Sequence, residues 1–571
     1  MLMLSLAWSN SVFRAGEFYM AAFLALLASM GAFGVAERKT EYLFFGLTAF
    51  AALISMILLV VNDLQISIAL ASIMAAAIIG TSGFKFKLSG FKLAASDVPL
   101  LFAGTMRFVF VQYRRMVILF LFCGLCLVVA AVSMLTSVTK THLPLEHRLS
   151  LLTLSIGVCG LTYWATGVAE KTRATLNQNH SFFSSFIASL VQSCSWRAAG
   201  VLKMSDIASV GLPLCAPIKA RCKRFPDVLI IQHESVFDPR TYGLPVEADI
   251  ANFLSPGHGL HGGLNVDIFG GGSWQSEFSL LTGLSSASFG RDSYHLYKRG
   301  AGRFAHSLPD SLGKLGYDTI LAAACRRDFL NYDKFYASIG MQQRVFTDDL
   351  PAPFDLEAFE KTSSDAMFLD AAVDLLAKQR DAKSGPQFLY ALTNFNHGPH
   401  DVERTAPGAF DAQRAFAQAS LPDAQYVEYY ARLCETAATW SAMKARLASR
   451  HPDRPMLILH YGDHQPVMVR RIQQHLRRPE LAGRQFRTFY AIETLNMEQG
   501  AIACGQGADL DIACLSTLVL QQAGLPLDGV FATRASLFDE CGDGYFLSTS
   551  ERKRRFHRTL VDAGLIKLEP V

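Results

Sequence analysis

The feature that most constrains this chain is a set of apolar runs, each close to twenty residues long, confined to its first 170 or so positions. A bilayer core takes about 20 apolar residues in a helix, and the runs at roughly 18–36, 42–61, 64–82, 116–135 and 149–168 meet that length. The rest of the 571 residues has ordinary soluble composition, so whole-chain averages (51% hydrophobic, 18% charged, mean hydropathy +0.23) describe neither half. The length exceeds what one ordinary core organises. The chain divides into a membrane domain at 1–170 with about five spans, a connector at 171–225, a folded domain at 226–545 and a tail at 546–571.

The first apolar run lacks a clean basic start, and further spans follow it directly, so it does not read as a cleaved signal peptide. Asn62 and Asp63 leave only a tight turn between the second and third runs. Lys85 to Lys92, where aromatics alternate with lysines, followed by Ser96 to Leu100 with Pro99, suits an interfacial segment or a plain loop. Charge counting leaves the orientation open. Five spans with a cytoplasmic N-terminus put Lys85, Lys87 and Lys92 outside, and a sixth crossing at 98–113 brings them inside. In both arrangements the soluble half lies outside.

The net charge of +4 is small and no dense basic run occurs, which argues against a nucleic-acid partner. Cys123 and Cys126 form a C-x-x-C inside an apolar run, where packing between helices is the expected role. Cys215 with Cys222, and Cys504 with Cys514, are candidate disulfides if the soluble half is oxidised.

From Pro226 onward short continuous apolar runs bounded by turn residues predict buried, parallel strands at 228–233, 387–392, 456–460 and 486–492. Helical patterns separate them, such as Ala424–Ser449, and 182–192 has the pattern of an amphipathic helix. Strands alternating with helices predict an α/β domain around a central, mostly parallel sheet. Open sheets of this kind bind ligands past the carboxyl ends of their strands, and the polar residues cluster there. The first strand runs into His233-Glu234-Ser235, the second into Asn394 to His400 and the third into Gly462-Asp463-His464. Glu234, Asp463 and His464 are a hard-to-borderline donor set suited to Mn²⁺, Zn²⁺ or Mg²⁺.

A nucleophile would complete that set. Gly270-Gly271-Gly272-Ser273 places a hydroxyl after a turn that only glycines fit easily, at the start of a helix running through Leu281. There Ser273 would share the positive end of the helix dipole with free N–H groups able to hold a phosphate. A serine is protonated at neutral pH, and a metal ion would activate it.

In this order the elements resemble the lipoteichoic acid synthase-like phosphoglycerol transferases of the alkaline phosphatase/sulfatase superfamily, including the periplasmic glucan phosphoglycerol transferases. The resemblance is carried by the multispan start, Glu234-Ser235, the glycine turn with Ser273 followed by Glu277-Phe278, Asn396-His397, Gly462-Asp463-His464 and the segment 510–518. It implies a multispan α-helical membrane domain joined to an alkaline phosphatase/sulfatase-like α/β domain. It implies Glu234, Ser273, Asp463 and His464 as ligands of one divalent metal, Mn²⁺ favoured, with Ser273 also the nucleophile. His397 would contact the substrate phosphate or protonate the leaving alkoxide. Asn396, His400 and Arg326 or Arg327 are candidate substrate contacts. This chain departs from the family in using serine where threonine is usual, and Arg326 to Tyr332 lacks the family's aromatic-Asn-Arg pattern.

The activity so implied moves a phosphoglycerol head group from a membrane phospholipid, phosphatidylglycerol favoured, to a glycan acceptor through a Ser273 intermediate. The enzyme would sit in a bacterial cytoplasmic membrane with its catalytic domain on the periplasmic or extracellular side. Phosphoethanolamine transfer, simple phosphodiester hydrolysis and a non-catalytic membrane sensor are the alternatives. A sulfatase is disfavoured because Ser273-Trp-Gln-Ser-Glu277 lacks the C-x-P-x-R or S-x-P-x-R pattern from which formylglycine is made.

Overall fold

The structure, a computed structural model, describes residues 37–89, 92–95, 143–168, 180–196 and 206–568, the last with gaps at 351–364, 383–384, 482, 499–501 and 546–547, besides a few isolated positions. The expected spans at 18–36 and 116–135, the possible crossing at 98–113 and the Cys123/Cys126 pair lie almost wholly outside these residues. Two compact units divide at residue 200.

In the first unit, α1 (Thr40–Val61), α2 (Leu64–Ser89), α3 (Leu145–Ala165) and α4 (Phe182–Trp196) are helical. Among the described residues, α1 and α2 are the helices long and apolar enough to cross a membrane. The turn expected between them is present: Asn62 is left-handed (φ 54°), and Asp63 caps α2 by accepting from the Ile66 amide at 3.0 Å. Helix α2 continues through the lysine-rich stretch as far as Ser89, so the non-helical segment starts later than the sequence suggests. The run expected at 149–168 lies within and just past α3, which exposes Leu154, Ile156, Leu161 and Trp164. The amphipathic helix expected at 182–192 is α4.

The second unit is an α/β domain. Its principal elements, in chain order, are β1 (Asp227–His233), β2 (Leu260–Asn265), α5 (Ser273–Thr282), β3 (Asp318–Ala323), α6 (Tyr332–Ser338), β4 (Gln343–Phe346), α7 (Asp365–Ala382), β5 (Gln387–Leu392), α8 (Ala424–Arg450), β6 (Met456–Gly462), β7 (Arg487–Leu495), β8 (Gly505–Gln506), β9 (Leu510–Asp511) and α9 (Leu515–Gln522), with further helices between and after them. The sheet order is β4-β3-β5-β1-β6-β7-β2-β8, with β9 also on β2. Strand β7 runs antiparallel to both neighbours, β6 and β2, and the other pairings are parallel, so the sheet is mixed.

Side chains alternate across the sheet and feed two cores. Val228 and Ile230 face Phe278 and Leu281 of α5, while Leu229 and Ile231 face Tyr429 and Trp440 of α8. Every residue of β1, β5 and β6 is buried, which is why these strands read as unbroken apolar runs. Cys215, Cys222, Cys504 and Cys514 are all free thiols, so neither expected disulfide is formed. Cys514 is buried while Cys504 is exposed, and the Cys222 thiol donates to the Gly524 carbonyl at 3.2 Å instead.

Candidate metal centre and nucleophile

Strands β1 and β6 are hydrogen-bonded neighbours in parallel register, with His233 opposite Gly462. The residues that follow each strand therefore emerge side by side. Glu234 leaves β1, and Asp463 and His464 leave β6. The approach depends on Gly462, because a Cβ there would stand 1.8 Å from the Val236 carbonyl oxygen.

Ser273 reaches the same place from the other side. Gly270, Gly271 and Gly272 have φ of 78°, 141° and 94°, values that strain any residue with a side chain. Helix α5 starts on the last of these turns. The loop is tied down by the Gly270 amide, which donates to the Gln465 carbonyl at 2.9 Å.

The hydroxyl of Ser273 donates to Glu234 Oε2 at 3.0 Å and lies 3.3 Å from His464 Nε2. His464 Nε2 is 3.5 Å from Glu234 Oε1 and 3.6 Å from Asp463 Oδ2. The donor atoms of Glu234, Asp463 and His464 all fall within 4.8 Å of one another, which makes them a possible metal-binding cluster. Bonds of about 2.1 Å to a cation separate neighbouring donors by roughly 3.4 Å in a tetrahedron and 3.0 Å in an octahedron, and the four spacings from 3.0 to 3.6 Å lie close to those edges. Asp463 Oδ2 is sealed from solvent without a hydrogen-bond partner. A buried carboxylate oxygen left so is costly unless something else meets it. The donor set and that orphaned oxygen both fit a divalent cation.

The remaining lone pairs hold the ligands in place. Asp463 Oδ1 accepts from the amides of Ser235 at 2.7 Å and His464 at 2.8 Å. The Ser235 hydroxyl donates to Glu234 Oε1 at 2.7 Å, a reach its left-handed backbone (φ 58°) permits. His464 Nδ1 faces the Gln465 carbonyl at 3.2 Å, leaving Nε2 turned into the cluster. Ser276, one turn into α5, donates to the Asp463 carbonyl at 2.7 Å.

Charge follows geometry. Burial opposes ionisation of Glu234, but the imidazoles of His464 and His397 and the hydroxyls of Ser235 and Ser273 outweigh it, and the carboxyl sits below its usual range. Burial and the adjacent Glu234 charge push Asp463 the other way, well above the carboxylate range. Burial pushes His464 below the usual imidazole range, against the opposing pull of the Glu234 charge.

His397 is near enough to favour the charge on Glu234, and its Nδ1 lies 2.7 Å from the Gly398 carbonyl. The other expected substrate contacts have side-chain partners elsewhere in the domain. Asn396 is wholly buried and donates to Thr436 Oγ1 at 2.8 Å. His400 is buried against Tyr429, with Nε2 3.0 Å from the Asn396 carbonyl. Arg326 pairs with Asp328 at 3.1 Å. Arg327 is forked between Asp333 at 2.7 Å and Asp349 at 2.6 Å, over the Phe346 ring. Sequence reasoning missed the orienting work of Ser235, Ser276 and Gln465. The first two stand inside the quoted motifs, and their pairing with Glu234 and Asp463 emerges only in three dimensions.

A hydroxyl at a helix start, sharing a buried site with anionic oxygens at the carboxyl edge of an α/β sheet, is an arrangement that metal-assisted transfer of phosphate or sulfate esters can use. Residues 226–488 match the Sulfatase family, and they form a domain of that family within the alkaline phosphatase superfamily. In sequence the chain is 27% identical over 247 residues to a putative cyclic beta-1,2-glucan modification protein of Rhizobium meliloti, covering 43% of this chain and 36% of that protein. It spans about a third of the length of the curated relatives it matches. Its fold is similar to that of an integral membrane lipooligosaccharide phosphoethanolamine transferase from Neisseria meningitidis, at 12% identity, 96% coverage of this chain, 98% of the other and a TM-score of 0.50. A phosphoglycerol transferase of Streptococcus pyogenes, solved with sn-glycerol-1-phosphate, matches at 16% identity over 62% of this chain and 89% of the other, with a TM-score of 0.47.

Proposed function

We propose that this protein is a metal-dependent transferase that moves a phosphoglycerol head group from a membrane phospholipid to a glycan or glycolipid through a covalent intermediate on Ser273. The observation that carries the reading is the meeting of Ser273 Oγ with Glu234 Oε2 at 3.0 Å and His464 Nε2 at 3.3 Å, beside the unpartnered Asp463 Oδ2.

Ser273 Oγ attacks the donor phosphorus and gives its proton towards Glu234 Oε2. The Ser273 Oγ–P bond forms as the P–O bond to diacylglycerol breaks, and the departing oxygen takes a proton from His397. An acceptor hydroxyl then attacks the same phosphorus and returns a proton to His397, while the Ser273 Oγ–P bond breaks and Ser273 Oγ takes its proton back from Glu234. Held by Glu234, Ser273, Asp463 and His464, a divalent cation (Mn²⁺ favoured, Zn²⁺ or Mg²⁺ as alternatives) supplies neutralisation of the phosphate charge and eases loss of the serine proton. The α5 N-terminus favours the same anion.

A lipid donor gives a reason for anchoring the domain to apolar helices. The name of the Rhizobium meliloti relative supports a glycan acceptor, and the full-length likeness to an integral membrane protein supports a multi-pass anchor. A lipid head group and an extracytoplasmic glycan together place the domain on the periplasmic or extracellular side of a bacterial cytoplasmic membrane. The absence of a formylglycine pattern at Ser273 speaks against sulfate esters as substrates.

The test is incubation of the purified full-length protein with labelled phosphatidylglycerol or phosphatidylethanolamine, followed by mass analysis of the Ser273 peptide. A glycerol-phosphate adduct, absent in a folded Ser273→Ala variant, is expected. An ethanolamine-phosphate adduct would reassign the donor, and no adduct with either lipid would refute the covalent route.

A further inference from the structure

Directly beneath the metal cluster lies a second buried polar layer that the proposed reaction does not use. Its centre is Glu277, on α5 four residues after Ser273 and 1% exposed. Four donors converge on this one carboxylate. Tyr297 and Tyr336 donate to Oε2, the former at 2.7 Å, and Tyr332 and Gln232 donate to Oε1 at 2.9 and 3.2 Å. Gln232 Oε1 in turn accepts from Tyr461 and from Tyr390 at 3.1 Å, and the last two hydroxyls meet at 2.7 Å.

The layer repeats the metal site one step down each element. Positions i and i+4 share a helix face about 6 Å apart, so Glu277 stands one turn below Ser273. Glu234 and Asp463 follow directly on the ends of β1 and β6, so Gln232 and Tyr461, two positions back on those strands, lie at most about 7 Å down the chain from them. Three of the four proposed ligands, Ser273, Glu234 and Asp463, thus have a hydrogen-bonded residue of the lower layer two or four positions away in the chain. Tyr332 opens α6, and Asn331 just before it donates to the Tyr297 carbonyl at 2.7 Å. The loop 326–331 is thereby fastened to the same hub.

A carboxylate fixed by four donors resists rotation and sliding of the helix that carries it. We propose that Glu277 is a positioning residue: its tyrosine and glutamine partners set the axial place of α5 against β1 and β6, and so hold Ser273 Oγ at ligand distance from the cation. This rests on Ser273 as a cation ligand. Glu277 itself touches neither substrate nor metal in this role.

The test is a double-mutant cycle on Mn²⁺ affinity, measured by electron paramagnetic resonance on the full-length protein in detergent. The variants are Ser273→Ala, Glu277→Gln, Tyr332→Phe and the Ser273→Ala/Glu277→Gln pair. Loss of an orienting partner typically weakens metal binding 10- to 100-fold, and about 10-fold is expected for Glu277→Gln, less for Tyr332→Phe. Because Glu277 acts through Ser273, the double variant should bind as Ser273→Ala does, within about twofold. Multiplying losses in the double variant would overturn the proposal, since the layer would then act on the other ligands or on folding at large. So would full affinity in Ser273→Ala, or in both Glu277→Gln and Tyr332→Phe. A non-additive cycle without head-group transfer from either lipid would support the positioning role and sink only the donor assignment.

Discussion

Replacing Gly462 with alanine tests the way β1 and β6 are brought together. The glycine is required for contact, not for conformation, since an added Cβ would lie 1.8 Å from the Val236 carbonyl oxygen and 2.9 Å from its carbon. Ordinary carbon–oxygen contacts begin near 3.3 Å, so relief demands a shift of about 1.5 Å. What must shift is backbone, either the end of β6 or the turn after β1. The first carries Asp463 and His464 and the second carries Glu234 and Ser235. Donor atoms now 3.0 to 3.6 Å apart would part by a large fraction of their spacing. Overpacking of this kind costs about 1–3 kcal/mol, and a misplacement of about 1 Å at a reacting centre costs about 100-fold in rate. Gly462→Ala is therefore expected to lose at least about 100-fold in Ser273 adduct formation and to fall by several degrees in Tm. Gly257→Ala, where an added Cβ meets nothing within 4 Å, is the control and should match the native protein. Scanning calorimetry and single-turnover mass analysis read both effects. A Gly462→Ala protein with native adduct formation would show that the close strand approach does not position the ligands.

Two further expectations concern residues around the site. Asp365 accepts from the Asn394 and Phe395 amides, both at 3.1 Å, and burial raises its carboxyl to about 6. The folded state thus holds a proton that the unfolded state releases near 3.8. Stability is fully present below that value and lost as pH rises through about 6, by up to about 3 kcal/mol. Asp365→Asn keeps the acceptor oxygen, so its Tm should exceed the native value at pH 7.5 and converge with it near pH 4. A constant difference across that range would contradict the assignment. Arg327→Ala breaks the fork to Asp333 and Asp349. It should lower Tm by about 2 °C and leave the lipid KM within about twofold, whereas a large rise in KM would restore Arg327 as a head-group contact.

β1, β5, β6 and most of β7 were legible as apolar runs, whereas β3, interior and almost wholly buried, was missed, as were the short or glycine-bearing strands. β2 carries Gly262 and Gly263, β4 is four residues long and β8 and β9 have two each, too short for periodicity to register. Residues 510–518 look helical in sequence, yet Leu510 and Asp511 pair with β2, and α9 starts only at Leu515. At the site, Glu234, Asp463 and His464 stood out because strand ends in an α/β sheet converge, and Ser273 because three glycines precede it. Arg326 and Arg327 look unoccupied in sequence, where the aspartates that hold them stand as far as 22 positions away. Glu277 looks like any glutamate of a helix face until four donors from β1, α6 and the Tyr297 turn are seen to surround it.

The adjacency of β1 and β6 also bears on when the proposed cation could bind. Their ligands are separated by more than two hundred positions of intervening chain, and β5 flanks β1 on the other side. A growing polypeptide that stops short of Asp463 holds Glu234 and Ser273 but lacks half the proposed donors. No fragment of that length offers the full donor set, so cation capture would wait for the slow closure of a long-range parallel pairing. Binding would then stabilise the paired strands, and the ion would distinguish chains in which β6 has joined β1 from those in which it has not.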